Sequence, residues 1–491
     1  MSSIREQLLQ LSDEEIFDRK KAKKDFFFYM GACEDEEAAK LDEDLLGQTW
    51  LTADRLDYKP SKLIDNKTKK LIKKQARFML GDEPTLLFKA RDLNDKEEVE
   101  NLRIFIDDIL NSNHFWSQTL QAFRLATVTR QVLLRIEANP GQAIKINYHD
   151  YNDFKYIKNT QGQLTQVYFV RQRPDTIGLP EEEQIWHRFI YSLESNNKEE
   201  VICILKEEEF KGDNLEKPIN TIISNTGLHK IPCFLIVNDI DMINTNGESD
   251  IRDLKVLQDM YNRRFSDFAD ALRFQMFDQS VVTDATDESV ETINIAPNAL
   301  VCLKSRNDKE GTKAEFKKVS SSFSSSEPIN TFLDRIDKAM RECLDMPDKS
   351  ELNKAVSAKA IKYLYNDLIA RCEEKWKFIE PQIRAMIRLI INCCDLFNIY
   401  PAWNNNWNSL QFSIVLQKNY PLPEDVEDQK KLALEEVTTN VKSIRDYIKD
   451  YGNNEDVEKT FKEILEDLQA INEVNQDQFL PANGETGEEE E

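Results

Sequence analysis

Apolar side chains recur at steps of three and four along two long stretches of the chain, which predicts two long amphipathic helices. The first helix lies within residues 246–277 and carries the stripe Leu254, Leu257, Tyr261, Phe265, Phe268, Leu272 and Met276. We expect Ser249 to be its N-cap, with Asp250 and Asp253 in the first turn, where acidic side chains favour a helix. Because few globular proteins need helices this long, the pattern favours a shaft over a catalytic pocket.

The second long helix is predicted over residues 358–399. Its stripe is Ile361, Leu364, Leu368, Cys372, Trp376 and Ile379. Proline has no backbone N–H and crowds the preceding turn, so we expect Pro381 to kink the helix or divide it.

Residues 278–326 separate the first long helix from a shorter one at 327–345. Three short β-like runs open this insert, and a basic loop closes it between Lys304 and Lys318. The shorter helix has Pro328 in its first turn, which is a favourable place for proline. A loop at 346–357 leads to the helix at 358–399.

Residues 1–245 are predicted to contain helices followed by antiparallel strands. Helical spacing covers parts of 1–80 and 98–126. Strand-like runs separated by turn residues follow between Val128 and Val237. They lie at 132–138, 143–150, 165–172, 185–193, 201–210 and 231–238. A return strand is expected within 400–423, acidic helices in 424–475 and a disordered acidic tail at 476–491. The predicted fold class is therefore α+β and mainly helical.

The charge of the chain is strongly negative and uneven. Its 491 residues carry a formal net charge of −24 at pH 7, and residues 424–491 hold 21 acidic against 7 basic side chains. Phosphate neutralisation drives most nucleic-acid affinity, so such a chain is a poor tight binder of DNA. It suits a surface past which DNA slides.

Composition narrows the class further. The eight cysteines form no CxxC pair and are typical of a reducing cytoplasm, and only 13 glycines are present. The first residues lack the apolar core of a secretion signal. Arg384, Arg388 and Asp395 interrupt the most apolar run, so we expect no membrane span.

Motifs for catalysis and cofactors are missing from the sequence. No phosphate-binding G-x-x-x-x-G-K-[ST] and no G-x-S-x-G are present. The four histidines, His114, His149, His187 and His229, lack metal-ligand spacing. We therefore expect no enzyme activity, no cofactor and no metal site. Acidic residues are too abundant to point to a particular carboxylate pair, so a metal-dependent nuclease stays an alternative without identified residues.

Four segments in a fixed order resemble the portal proteins of tailed bacteriophages, in the branch common in phages of Gram-positive hosts. They are NKTKKLIKKQARFMLGDEP, NGESDIRDLKVLQDMYNRRFSDFADAL, SAKAIKYLYNDLIARCEEKWKFIEPQI and NYPLPEDVEDQKKLALEE, the last followed by Asp456, Glu458 and Glu466. The resemblance spans roughly residues 55–475. TRQVLLRIEANPGQ replaces a Gly-x-Ala-Tyr turn that is common in the family, which leaves the strand register there open.

The resemblance implies a subunit with five parts. These would be a wing (1–245 with 400–423), a stem (246–277 and 327–345), a clip (278–326), a tunnel loop (346–357) and a crown (424–475). It also implies a ring, usually of twelve subunits, at one capsid vertex of the virion, assembled in the host cytoplasm. Double-stranded DNA would pass through its channel during packaging and ejection.

The resemblance also implies partners and site residues. The partners would be the major capsid and scaffold proteins, the terminase large subunit and a head-tail connector, with no membrane. The candidates for facing DNA in or beside the tunnel loop are Lys349, Lys354 and Lys359. The candidates for docking partners in the clip are Lys304, Arg306, Lys309, Lys313, Lys317 and Lys318. The alternative from another class is an acidic helical adaptor or scaffold protein without a channel.

Overall fold

The structure, a computed structural model, describes residues 3–31, 60–195, 201–276, 279–287, 303–305, 314–319, 326–352, 357–422, 426–439, 441–451 and 457–477. Contacts divide the chain into two compact units. The first comprises Met1–Lys349 and Tyr365–Pro421, and the second comprises Ser350–Leu364 and Leu422–Glu491.

Helices and strands are both abundant in the described residues. The helices are α1 (Ile4–Leu8), α2 (Asp13–Met30), α3 (Lys67–Leu80), α4 (Lys96–Ser112), α5 (Phe115–Thr129), α6 (Leu254–Met276), α7 (Ser326–Glu342), α8 (Lys349–Leu352), α9 (Ala358–Leu364), α10 (Asn366–Phe397), α11 (Val426–Thr438), α12 (Ile444–Tyr451) and α13 (Val457–Asp477). The strands are β1 (Thr85–Ala90), β2 (Gln131–Glu137), β3 (Lys145–Asp150), β4 (Phe154–Lys158), β5 (Leu164–Gln172), β6 (Ile185–Ser195), β7 (Val201–Lys211), β8 (Asn220–Asn225), β9 (Cys233–Val237), β10 (Gln279–Thr283), β11 (Glu315–Val319) and β12 (Phe412–Gln417).

The strands form antiparallel sheets, as the sequence predicts for residues 128–237. One sheet has the order β3-β2-β9, and a larger one has the order β4-β5-β6-β7-β8. The pattern missed β4 and β8, which lie at the two edges of the larger sheet. The predicted return strand is confirmed as β12, which pairs with β1 and so brings residues 412–417 beside residues 85–90.

Helix α1 covers part of the larger sheet. Its N-cap is Ser3. The Ser3 hydroxyl accepts a hydrogen bond from the Glu6 backbone N–H, and the Glu6 carboxylate accepts one from the Ser3 backbone N–H. Leu8 and Leu9, at and just beyond its end, are buried against the sheet. Their apolar partners there are Val170, Trp186 and Phe210. The short helix is thus held by capping at one end and by apolar burial at the other.

The core of the first unit lies around the three-stranded sheet. On β2 even consecutive residues are buried, so both faces of this strand are covered. Helix α5 packs on β2 and β3, and α10 packs on β9. Trp376 of α10 is fully buried. This core places α10 beside the end of β9, where the candidate site lies.

The predicted start of the first long helix is wrong. Helix α6 begins at Leu254, five residues after the expected N-cap. The Ser249 hydroxyl instead donates to the Val128 carbonyl oxygen at 2.7 Å. Asp250 is buried in an ionic cluster and pairs with side chains of other elements rather than occupying the first turn of the helix.

Burial along α6 also differs from the predicted stripe. Leu254 is buried, whereas Leu272 is exposed. The stripe that is buried at steps of four is polar: it consists of Gln258, Asn262, Ser266 and Asp270. Apolar spacing could not reveal it, because its burial depends on hydrogen bonds to a segment distant in sequence.

The helix predicted over 358–399 comprises two helices. The first, α9, ends at Leu364, and the second, α10, begins at Asn366. Tyr365, between them, is where the chain returns to the first compact unit. Pro381 lies inside α10, which continues through it and is not divided there. Tertiary packing supplies the stabilisation that the proline removes, since α10 buries most of one face in the core.

Two further segments differ from expectation. The stretch predicted as a basic loop of the insert contains strand β11, which pairs with β10 in an antiparallel ladder. Two of the insert's predicted strands are concerned: the one at 292–296 lies outside the described residues, and the one at 299–304 lies mostly outside them. In the second unit, three helices, α11 to α13, occupy the described part of 424–477. Arg445 of α12 pairs with Glu458 of α13 at 3.1 Å and so joins these two helices.

The packing of α1 predicts an unequal response to two leucine substitutions. Leu9→Ala leaves a cavity at a fully buried site and should lower the free energy of unfolding by about 2–5 kcal/mol. Leu93→Ala, at a site 89% exposed, should change it by less than about 0.5 kcal/mol. Chemical denaturation followed by circular dichroism measures both, and equal effects would contradict the burial of Leu9.

Candidate functional site

Two helices flank the β10–β11 ladder and pack against each other. Helix α6 precedes β10, and α7 follows β11. On α7 the buried side chains include Leu333, Ile336 and Met340, at helical spacing. We call α6 and α7 the shaft. The shaft is a pair of long helices, and the two-stranded β10–β11 ladder lies between them in the sequence.

Lys67, at the start of α3, links both helices of the shaft. Its ammonium group lies 2.8 Å from the Asp337 carboxylate of α7 and 4.4 Å from the centre of the Tyr261 ring of α6. Burial lowers the pKa of Lys67, but the hydrogen bond and charge of Asp337 together with Tyr261 and Asp65 raise it by more, and the net shift is upward. Burial raises the pKa of Asp337, but Lys67 and Arg341 together lower it by more, and the net shift is downward. Both groups are therefore charged at neutral pH.

A buried ionic cluster lies at the base of the shaft, around Asp250. This carboxylate accepts hydrogen bonds from Lys375 Nζ at 2.9 Å and Asn238 Nδ2 at 2.8 Å through one oxygen. Gln75 Nε2 donates to the other oxygen at 3.1 Å, and Arg371 lies 3.4 Å from it. The cluster thus joins α3, the end of β9, the segment before α6 and α10. We call it the Asp250 cluster.

The Asp250 cluster keeps its carboxylate ionised. Burial raises the pKa of Asp250, but the charges of Lys375 and Arg371 and the hydrogen bonds from Asn238 and Lys375 together lower it by more, and the net shift is downward. A carboxyl whose folded pKa is depressed stabilises the fold above its unfolded pKa of about 3.9 and loses that contribution as pH falls through the folded value. The cluster is therefore fully formed across neutral pH.

Arg371 extends the Asp250 cluster toward the end of α7. Its guanidinium lies 3.2 Å from the Asp345 carboxylate, just past the last turn of that helix. Asp345 has a positive φ of 54°, a backbone conformation in which the chain reverses sharply. The segment that follows, predicted as the tunnel loop, therefore leaves from an anchored residue.

The structure places only some of the predicted loop lysines. Lys349 is the first residue of the short helix α8, and Lys359 is exposed on α9. Lys354 lies outside the described residues. The described part of the chain does not bring these three lysines together. That they face DNA therefore stays a prediction.

The predicted clip residues are described in part. Lys304 is exposed, and its carbonyl oxygen accepts a hydrogen bond from the Thr286 backbone at 2.9 Å. Lys317 on β11 is exposed and pairs with Glu315 at 2.8 Å. Lys318 lies opposite Ser280 in the β10–β11 strand pair. The other three candidates, Arg306, Lys309 and Lys313, lie outside the described residues.

Within the described ranges, no three His, Cys, Asp or Glu side chains meet in a group that could hold a metal ion. His149 is buried, and burial together with Arg171 and Arg135 lowers its pKa to about 3. It is thus neutral at physiological pH. None of the described helices combines the length and apolarity that crossing a membrane requires.

A comparison with family models decides the class of the protein. The model described as "Phage portal protein, SPP1 Gp6-like" matches residues 11–474. The chain belongs to this family of portal proteins. The resemblance seen in the four sequence segments is thereby confirmed, and it extends further toward the N-terminus than those segments did. A portal protein is the subunit of a ring at one vertex of the capsid, and the family is structural rather than enzymatic.

Other comparisons add little to the portal assignment. A search of curated proteins finds no match. Among solved structures, a chain from the "Neck of native GTA particle computed with C12 symmetry" is 8% identical with a TM-score of 0.39, covering 78% of this chain and 89% of that one. A chain from the "Virion of native gene transfer agent (GTA) particle" is 10% identical with a TM-score of 0.38, covering 79% and 94%. Such TM-scores do not establish a common fold, so the family rests on the sequence match.

Sequence reasoning did not find the Asp250 cluster. Its members are distant in the chain, and the portal protein contains 89 acidic residues, so no single aspartate stood out. Asp250 was instead interpreted as a first-turn residue of a helix. The only usable signal was the pair of basic residues at a four-residue step, Arg371 and Lys375, on an otherwise apolar helix face.

The buried cluster predicts a strong dependence of stability on Lys375. Lys375→Met leaves the buried carboxylate short of a partner and should lower the free energy of unfolding by about 3–5 kcal/mol. Arg252→Met removes an exposed ion pair two residues after Asp250 and should cost less than about 1 kcal/mol. Thermal and urea unfolding of both variants gives the comparison. Similar small losses would show that Asp250 is not a buried anchor.

Proposed function

We propose that this portal protein assembles a ring of twelve subunits whose channel conducts double-stranded DNA during packaging and ejection. The observation that carries the proposal is the shaft: two packed helices that bracket a two-stranded ladder, in a chain whose family match covers residues 11–474. In this assignment α6 and α7 are the stem and the β10–β11 region is the clip.

The remaining parts follow the same assignment. The wing comprises residues 1–245 and 400–423, the tunnel loop 346–357 and the crown 424–475. Pairing of β12 with β1 supports placing the return segment in the wing, because it puts residues from both ranges in one sheet. The separate contact unit formed by Ser350–Leu364 and Leu422–Glu491 supports a crown distinct from the wing.

The proposed partners divide by region. The clip binds the terminase large subunit during packaging and a head-tail connector afterwards, and other surfaces meet the major capsid and scaffold proteins. Exposed Lys304 and Lys317 support clip docking, because exposed cations steer acidic partners. The chain itself acts as a passive conduit in the virion after assembly in the host cytoplasm.

An acidic wall suits a passive conduit for DNA. The net charge of −24 disfavours lasting contact with phosphates. Isolated lysines supply brief contacts that salt weakens. The tunnel-loop candidates Lys349 and Lys354, with Lys359 just beyond them, fit this role.

Imaging of the purified protein tests the ring. Negative-stain micrographs with mass photometry should show closed rings of about twelve subunits with an axial hole. A compact dimer that forms no ring, even when co-expressed with its scaffold protein, would instead support an acidic adaptor without a channel. Cleavage of DNA that depends on divalent cations would revive the nuclease alternative.

The tunnel-loop assignment predicts a selective defect. The double variant Lys349→Glu with Lys354→Glu should leave ring assembly intact, because it changes no packed residue of the shaft. It should lower the yield of DNA-filled particles in a complementation assay at least tenfold, since two repulsive charges replace two attractive ones.

The matched control is Lys217→Glu with Lys230→Glu, which reverses two exposed lysines far along the chain from the loop. It should package normally. Unchanged genome length and particle yield in the tunnel-loop variant would remove the assignment, whereas equal losses in both variants would point to a general effect of charge.

A further inference from the structure

An extended segment, residues 60–66, runs along the polar stripe of α6. Ser61 donates its backbone N–H to the Asp270 carboxylate at 3.0 Å, and Leu63 donates its own to the Ser266 hydroxyl at 2.9 Å. We call residues 60–66 the strap. As its numbering rises, that of its α6 partners falls, so the strap runs antiparallel to the helix.

The contacts continue to the start of α3. The Asp65 backbone donates to Asn262 Oδ1 at 3.1 Å, and the Thr68 backbone donates to Gln258 Oε1 at 2.9 Å. The Gln258 amide donates back to the Asp65 carbonyl oxygen at 2.9 Å. We call the four side chains Gln258, Asn262, Ser266 and Asp270 the ladder.

Helix and strand geometry explain why the ladder works. Two residues of extended chain advance about 6.6 Å, and four residues of helix advance about 6.0 Å. Alternate amides of the strap therefore meet every fourth side chain of α6. A buried backbone N–H needs a partner, and the ladder supplies it for a segment that pairs with no strand.

The ladder accepts hydrogen bonds from backbone N–H groups and not from side chains of the strap. Its four side chains are buried. Gln258 and Asn262 are fully buried, and Ser266 and Asp270 are each 5% exposed. Polar side chains so deeply buried are destabilising unless hydrogen-bonded, so strap and helix stabilise each other. A rotation of α6 by one residue, about 100°, would move all four acceptors away from the strap and from the start of α3.

We propose that the strap locks the rotational setting of α6 and that its local release lets this helix turn in the assembled ring. The proposal rests on the proposed function in that α6 is a stem helix. With the ladder facing the strap, α6 presents Val256, Met260 and Arg263 on its exposed side. The lock therefore decides which side chains the stem offers to the channel or to a neighbouring subunit.

The strap is suited to opening without unfolding of the core. Lys62 is exposed and Leu63 is 37% exposed, so little apolar surface holds the strap in place. Segments with few apolar contacts open locally at lower free energy than the global transition. Lys67 follows the strap directly and contacts both shaft helices. Opening of the strap would therefore also disturb the Lys67 contact with α7.

Hydrogen exchange with mass spectrometry on the full chain tests the lock. In the wild type, the amides of Ser61, Leu63 and Asp65 should be protected, although less than those of the buried strand β2. Asp270→Ala removes the acceptor of Ser61 and should speed exchange of the strap at least tenfold. Asp267→Ala, an exposed aspartate three residues away, should leave it unchanged. Asp270→Asn keeps one acceptor oxygen and should restore most of the protection.

Particle yield in the complementation assay tests the role of release. Asp270→Ala should still form rings but give at least tenfold fewer DNA-filled particles, whereas Asp267→Ala should match the wild type. Protection of β2 amides in the same samples shows that the core remains folded. An unprotected strap in the wild type, equal exchange in the two alanine variants, or full yield with a deprotected strap would each overturn the proposal. Absence of rings in the wild type, even when it is co-expressed with its scaffold protein, would overturn the proposed function instead, and the exchange comparison would still report on the strap.

Discussion

The buried charge of Asp250 is the constraint on which the rest of the first unit depends. An ionised carboxylate without solvent must keep its partners, and these come from α3, the end of β9 and α10. None of those elements can shift alone without leaving a charge or a dipole unpaired. Since α6 begins four residues later, the cluster also fixes where the shaft leaves the core.

Polar contacts act together with the apolar packing on α7 to position the first shaft helix. The Asp250 cluster holds its base, and the ladder of Gln258, Asn262, Ser266 and Asp270 holds its length. Apolar packing tolerates sliding and repacking, whereas hydrogen bonds are directional and fail when the geometry changes. A helix placed in this way has a single rotational setting in which all these hydrogen bonds form.

The sequence predicted the class of the protein better than its site. Alternation and turn residues predicted β2, β3, β5, β6, β7 and β9, and four ordered segments predicted the portal family. The lysines proposed to face DNA and to dock partners remain predictions, because they lie on short or separate elements, or outside the described residues. The Asp250 cluster was missed, since acidic residues are common throughout the chain and only folding brings this one beside Lys375.

The sequence by itself determined the local elements and their class: long helices, antiparallel strands, a return strand, an insert between helices and an acidic C-terminal region. Periodicity reports which residues share a face, and that information is local. Only the tertiary structure decided where α6 starts, that its buried stripe is polar, and that the long helix is interrupted at Tyr365 and not at Pro381. Each of these depends on partners distant in sequence, whose hydrogen bonds and packing outweigh the local preferences of a cap, an apolar stripe or a proline.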